Sequence, residues 1–247
     1  MHELGLLEEF LRLPHQKLGK IGGQFGDLTF IGADFSHLPV KYKFIALMPQ
    51  WDFLRFLSVQ GKQFFTFDLR MEHEVTGLLE ENGRIHGVSV QTPEGTKEIE
   101  AALTVACDGR HSTVREAFDL EQIDIGVPID VLWFRISRRP EDSYQALGRI
   151  DYGKMLILIN REEYFQAGLI VRKGTFDEVK AAGLPAFRQS LLQIAPFLGG
   201  RVEEIKDWEQ VKLLSIQINR LKQWHKPELL CIGDAAHVMS PAGGGRY

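Results

Sequence analysis

Apolar residues fall at helical spacing at the start of the chain: Leu4, Leu7 and Leu11, with Leu6, Phe10 and Leu13 beside them. The spacing predicts a helix that Pro14 stops. Gly19-Lys20-Ile21-Gly22-Gly23 has glycines but no apolar strand before it, and it reads as a loop. Asp27 to Ile31 and Lys41 to Ala46 read as strands joined by a link containing Gly, Asp and Pro. Pro49-Gln50-Trp51-Asp52 opens a second helix, with Phe53, Leu54, Phe56 and Leu57 inward and Gly61 as its end. Proline suits a first turn because its missing N–H would have no helical partner.

From Glu74 to Ala106 the period changes to two. Val75 to Leu79 and Ile85 to Val90 read as strands around the turn Glu81-Asn82-Gly83-Arg84. Pro93-Glu94-Gly95 turns again, and Glu98 to Ala101 leads on. Asn-Gly and Pro-Glu-Gly between short alternating runs are hairpin signals, because those residues accept the backbone angles that tight turns need. Val131 to Ile136, Met155 to Ile159 and Tyr164 to Val171 read as three long strands of one sheet. The first and last mix apolar and polar positions, which predicts one covered face and one open face. Thr175 followed by Glu178 predicts a capped helix start, Leu184-Pro185 a break, and Phe187, Leu191 and Ile194 a further helix. Val211 to Ile218 reads as a strand, and Trp224-His225-Lys226-Pro227 as a turn.

Two runs have a different form. Leu103-Thr104-Val105-Ala106-Cys107 ends in Asp108-Gly109, and Leu229-Leu230-Cys231-Ile232 ends in Gly233-Asp234. A buried parallel strand delivers a carboxylate in this way to the carboxyl edge of a sheet, where open α/β folds bind ligands. Asp234 can accept hydrogen bonds from a sugar or polyol hydroxyl. Gly243 and Gly244 let a ligand approach bare backbone.

Composition narrows the class without naming a function. The chain has 247 residues, 44% hydrophobic and 25% charged, as in ordinary globular proteins. Its net charge of −4 gives no basic field for nucleic acid or an anionic membrane. The start lacks the form of a signal peptide, and no apolar run approaches the ~18 residues of a membrane helix. These features predict a cytoplasmic protein with no integral membrane segment. Cys107 and Cys231 read as small core residues in a reducing compartment. His37, His73, His86 and His225 form no metal spacing with them, and there is no Gly-x-Ser-x-Gly nucleophile elbow.

The string Gly233-Asp234-Ala235-Ala236-His237, followed by Ser240-Pro241-Ala242-Gly243-Gly244, resembles the ribityl-binding motif of the FAD-dependent aromatic hydroxylases. These are the para-hydroxybenzoate hydroxylase-like flavoprotein monooxygenases. Asp108-Gly109-Arg110-His111-Ser112-Thr113-Val114-Arg115 resembles that family's second motif, Asp-Gly-x-x-Ser-x-x-Arg. The two motifs stand in the family's order, with room between them for one inserted domain.

The resemblance implies an α/β fold with α+β character. It would be a partial Rossmann-like FAD-binding domain with a β-meander, plus an inserted substrate domain built on a mostly antiparallel sheet. The implied cofactor part is 1–26, 46–120 and 226–247; the substrate part is 27–45 and 121–225. The implied cofactor-binding residues are Gln50, Asp108, Gly109, Gly233, Asp234, Pro241, Gly243 and Gly244. His237 would pack behind the flavin, and no residue is assigned to catalysis or to a metal.

The implied reaction uses FAD with NAD(P)H as co-substrate. It hydroxylates an aromatic or similar small organic molecule through a flavin hydroperoxide. The sequence alone leaves two alternatives open: a truncated, non-catalytic fragment, and a related FAD-dependent reductase or dehydrogenase. The family's Gly-x-Gly-x-x-Gly unit and C-terminal helices have no counterpart in these residues, so the isolated chain is expected to fold marginally and to hold little FAD. Substrate identity, nicotinamide preference and oligomeric state are not legible.

Overall fold

Ile129–Ser137 lies inside a seven-stranded sheet. The computed structural model describes residues 1–142 and 148–239. The sheet order is Lys212–Ser215, Ile129–Ser137, Tyr164–Arg172, Lys154–Asn160, Gly148–Asp151, Lys20–Phe25 and Leu28–Asp34. All neighbours are antiparallel except Gly148–Asp151 and Lys20–Phe25, which run parallel. The long strands lie where the alternation predicts them, and the mostly antiparallel sheet is the one expected.

One face of this sheet is covered. Leu132, Phe134 and Ile136 alternate onto it with Leu156, Leu158, Phe165, Ala167 and Leu169. The helix Gly183–Ile194 lays Phe187, Leu191 and Ile194 against them. Leu132, Leu156 and Leu191 are fully buried. Burying such a side chain stabilises by about 1.5–3 kcal/mol each, so this layer is what holds the unit together. Arg135, on the alternate face, is exposed.

Several local expectations change. The first helix is only Leu7–Phe10. Leu4 is 69% exposed, so the leucine stripe lacks the packing that sustains a short helix. Lys41 to Ala46 is not a strand of the large sheet; Ile45–Leu47 pairs instead with Gln16–Leu18 as a separate two-stranded ribbon. The second helix is Gln50–Gly61, as predicted, but Leu54 is exposed and Phe56 is the buried apolar residue. Thr175 precedes the helix Phe176–Ala181 without a capping box: its hydroxyl donates to the Arg172 carbonyl. The break expected at Leu184-Pro185 falls at Gly183, where φ is +86°.

The run read as a loop, Gly19 to Gly23, is mostly strand. Its glycines are there for close approach, not for a turn. A Cβ on Gly22 would lie 2.3 Å from the Phe30 carbonyl oxygen, and one on Gly23 would lie 2.9 Å from that of Gly148. Gly22→Ala is therefore expected to force Lys20–Phe25 away from Leu28–Asp34. The cost should be about 1–3 kcal/mol, as for overpacking elsewhere, and a denaturant midpoint measures it. A midpoint equal to that of the parent protein would show that the strands give way freely.

The described residues divide into two compact units, those within 1–68 and 129–215, and those within 69–128 and 216–239. The expected functional division draws its lines elsewhere. Strand pairing explains the compact units. Lys20–Phe25 joins Gly148–Asp151 in the first, while Gln122–Asp124 joins Asn219–Leu221 in the second.

The second unit contains the predicted meander, Glu74–Glu81, Arg84–Thr92 and Gly95–Glu100. Asn82 (φ +52°) and Gly83 (φ +77°) form its first turn, with both central residues left-handed. Its core gathers Ile85, Ala106, Val114, Leu120, Leu221, Leu229 and Cys231. Among the described residues, no helix is long and apolar enough to cross a membrane.

Candidate functional site

Leu229–Cys231 and Thr104–Ala106 pair in parallel, with Cys231 opposite Ala106. Ile232 N–H donates to the Ala106 carbonyl at 2.9 Å, which extends the ladder to its carboxyl edge. Both strands are short and apolar. Each leaves the sheet through a glycine that is left-handed: Gly109 at φ +89° and Gly233 at +58°. A side chain at either position would strain the backbone. The parallel register therefore brings Asp108 and Asp234 to the same edge of one small sheet.

Two turns follow that edge. Ser112, fully buried, accepts the Arg115 N–H at 3.0 Å and caps the helix Thr113–Ala117. The Asp108 carboxylate accepts the Val114 N–H at 3.3 Å, at the same helix start. Acceptors suit that position because the first N–H groups of a helix have no partner inside it. Gly233–Ala235 forms a single 3-10 turn.

Arg115 links the turns. Its guanidinium is buried and donates to the Ala235 carbonyl at 3.4 Å and to the Arg110 carbonyl. The Asp-Gly loop and the Gly-Asp loop are thus tied through one side chain. The sequence showed Ser112 and Arg115 as part of a motif but gave them no task. Their task is a tertiary one, visible only once both loops share an edge.

Cys231 lies within this cluster. Burial, first, and the Asp108 carboxylate, second, push its thiol above the usual range, against a smaller opposing effect of Arg115. Cys231 is the small core residue expected. Cys107 is not; it is exposed, just past the strand that ends at buried Ala106.

His237 stacks on Trp224, with ring centroids 5.0 Å apart and planes 14° from parallel. It belongs to His237–Val238, which pairs with the Asn219–Leu221 strand. Gln50 is the exposed first residue of the helix Gln50–Gly61, which belongs to the first unit. Pro241, Gly243 and Gly244 lie outside the described residues. Among those described, no group of three or more His, Cys, Asp or Glu is placed to hold a metal ion.

A Cβ on Gly109 or Gly233 would meet nothing within 4 Å, so the backbone at both turns is open to approach. Asp234 is half-buried beside fully buried Ala235. A carboxylate in that setting is a strong acceptor for hydroxyl groups. The residues present fit the ribityl chain of a flavin.

The sequence pattern of the FAD binding domain family matches residues 1–245. The 6-methylpretetramide 4-monooxygenase of Streptomyces rimosus is 25% identical over 218 residues, covering 87% of this chain and 52% of that protein. The anhydrotetracycline monooxygenase of Streptomyces rimosus is 32% identical over 100 residues, 40% of this chain and 19% of that one. Among solved structures, OxyS anhydrotetracycline hydroxylase from Streptomyces rimosus has a TM-score of 0.67 at 24% identity, covering 93% of this chain and 44% of its own. The p-nitrophenol 4-monooxygenase PnpA from Pseudomonas putida has a TM-score of 0.76 at 14% identity, covering 98% and 62%. These two structures share the fold. The chain spans about half the length of the first of these relatives.

Proposed function

Because the chain belongs to the FAD binding domain family, we propose that it works in an FAD-dependent monooxygenase that uses NAD(P)H and O2 to hydroxylate a small aromatic molecule. The observation that carries this reading is the parallel pair Thr104–Ala106 and Leu229–Cys231, which puts Asp108 and Asp234 at one edge beside two open, left-handed glycines. Asp234 would accept a ribityl hydroxyl. Asp108 and Gly109 would border the same cofactor, and Gln50, Pro241, Gly243 and Gly244 are assigned to it by motif position.

FAD, when bound, would supply the redox chemistry between NAD(P)H, O2 and the substrate. The protein's own residues position. Arg115 holds the two loops together, so that the Asp234 carboxylate need not reorganise when the ligand arrives. His237 is assigned packing, its ring stacked on Trp224, and no proton transfer. The aromatic substrate class follows from the relatives, whose names specify 6-methylpretetramide and anhydrotetracycline.

The test is made on the full-length protein, purified and saturated with FAD. NAD(P)H oxidation should rise when an aromatic substrate such as anhydrotetracycline is added, and 18O from labelled O2 should appear in the product. Substrate turnover with no label in the product would instead identify a reductase or dehydrogenase.

A further inference from the structure

Arg149 pairs with Leu156 across the strand ladder, so it lies on the sheet face that the helix Gly183–Ile194 covers. A cavity of about 330 Å3 opens there, with Arg149, Ile194 and Phe197 in its lining. That is within the size range of small-molecule sites. The guanidinium of Arg149 lies over the Phe197 ring, 4.6 Å from its centroid. Among the described residues it has no hydrogen-bond or ion-pair partner.

Two other arginines of this unit that are not exposed have polar partners. Arg201 is paired with Asp142, and Arg188 holds the Ile205 carbonyl and Glu203. Arg149 is half-buried, and burial alone acts on it, pulling its pKa down. A charged fork that is partly desolvated and stacked, yet bonded to nothing, is an expensive group to keep. It is also arranged to receive a carboxylate, since stacking fixes its plane and leaves its N–H edge for two parallel bonds.

The rest of the lining has the opposite sign. Asp27 and Asp151 border the same cavity, and neither bonds Arg149. Asp151 accepts the Tyr152 N–H at 2.7 Å, which leaves its second oxygen. Ile194 and Pro196 supply an apolar wall. A plain anion would satisfy Arg149 and face two carboxylates. A ligand carrying both charges would satisfy all three groups. We propose that this cavity binds a free amino acid with an apolar side chain, its carboxylate on Arg149 and its ammonium toward Asp27 and Asp151. The site is on the helix-covered face and uses none of the residues assigned to the flavin.

Calorimetric titration of the full-length protein tests this, with L-leucine as probe and 4-methylpentanoate as the same molecule without its amine. L-Leucine should bind saturably, with 4-methylpentanoate at least about fivefold weaker. Arg149→Gln should weaken L-leucine roughly ten- to a hundredfold, the size of a charge-assisted bidentate contact. Asp27→Ala, at an exposed turn, should remove most of the advantage of L-leucine over 4-methylpentanoate. Absence of saturable L-leucine binding would overturn the proposal, as would an Arg149→Gln protein that binds it like the parent. Equal affinity for the two probes would overturn the amino-acid assignment.

Discussion

Replacing Asp234 by alanine in the full-length protein is expected to weaken FAD binding roughly ten- to a hundredfold. The substitution removes a charged acceptor from a ribityl hydroxyl, a contact worth about 1.5–3 kcal/mol. Asp234 is the middle residue of the Gly233–Ala235 turn, and the loop is held by other atoms: Arg115 on the Ala235 carbonyl and Leu221 N–H on that of Ala236. Asp234→Asn should lose less, because an amide oxygen still accepts. His237→Ala removes the stack on Trp224 and should cost packing, while turnover per bound flavin stays near that of the parent. Flavin titration and NAD(P)H oxidation on the three variants decide among these. Full flavin affinity in Asp234→Ala, with turnover abolished in flavin-loaded His237→Ala, would reverse the roles given to the two residues.

The parts of this fold that were legible in the sequence are those set by local chemistry. Asn82-Gly83 specifies a turn because both residues tolerate left-handed backbone, and the meander follows from it. Phe187, Leu191 and Ile194 specify a helix by spacing alone, and all three are buried on it. The two acidic-glycine edges were legible for the same reason. What was missed depends on neighbours far along the chain. Gly22 and Gly23 look like loop residues until Phe30 and Gly148 are known to press against them. The leucines near Leu4 look helical, but nothing covers them. Arg149 carries no sequence signal at all, being one arginine in an unremarkable strand. Its interest comes from Phe197 and from two carboxylates, Asp151 at the end of its own strand and Asp27 in a distant turn. Within the candidate site, the carboxylates could be named from sequence, but the arginine that joins their loops could be assigned only in three dimensions.

The largest expected effect on stability lies away from the flavin residues, at Arg201 and Asp142. Their side chains are only 5% and 6% exposed, and they form a two-pronged pair at 2.5 and 3.1 Å. Arg201 also donates to the carbonyls of Ser137, Phe197 and Leu198, while Asp142 accepts the Arg139 N–H at 2.8 Å. Asp142→Ala would leave a buried guanidinium without its counter-charge, at a cost of about 3–5 kcal/mol. Removing both charges, as in Asp142→Leu with Arg201→Met, should cost less than that single change, because no lone charge then stays buried. The pair also gives an acid dependence. Burial is the largest influence on the Asp142 carboxyl and pushes its pKa up, but the hydrogen bonds and charge of Arg201 and the Arg139 N–H together outweigh it, and the net direction is down. A carboxyl lowered on folding contributes stability that is complete above its unfolded value, ~3.9, and is lost as pH falls through the folded one. Denaturant unfolding at pH 7 and in steps below pH 4 should therefore show the parent losing stability toward acid more steeply than Asp142→Asn. Parallel acid profiles for the two proteins, or an Asp142→Ala midpoint equal to that of the parent, would show that the pair does not hold this end of the sheet.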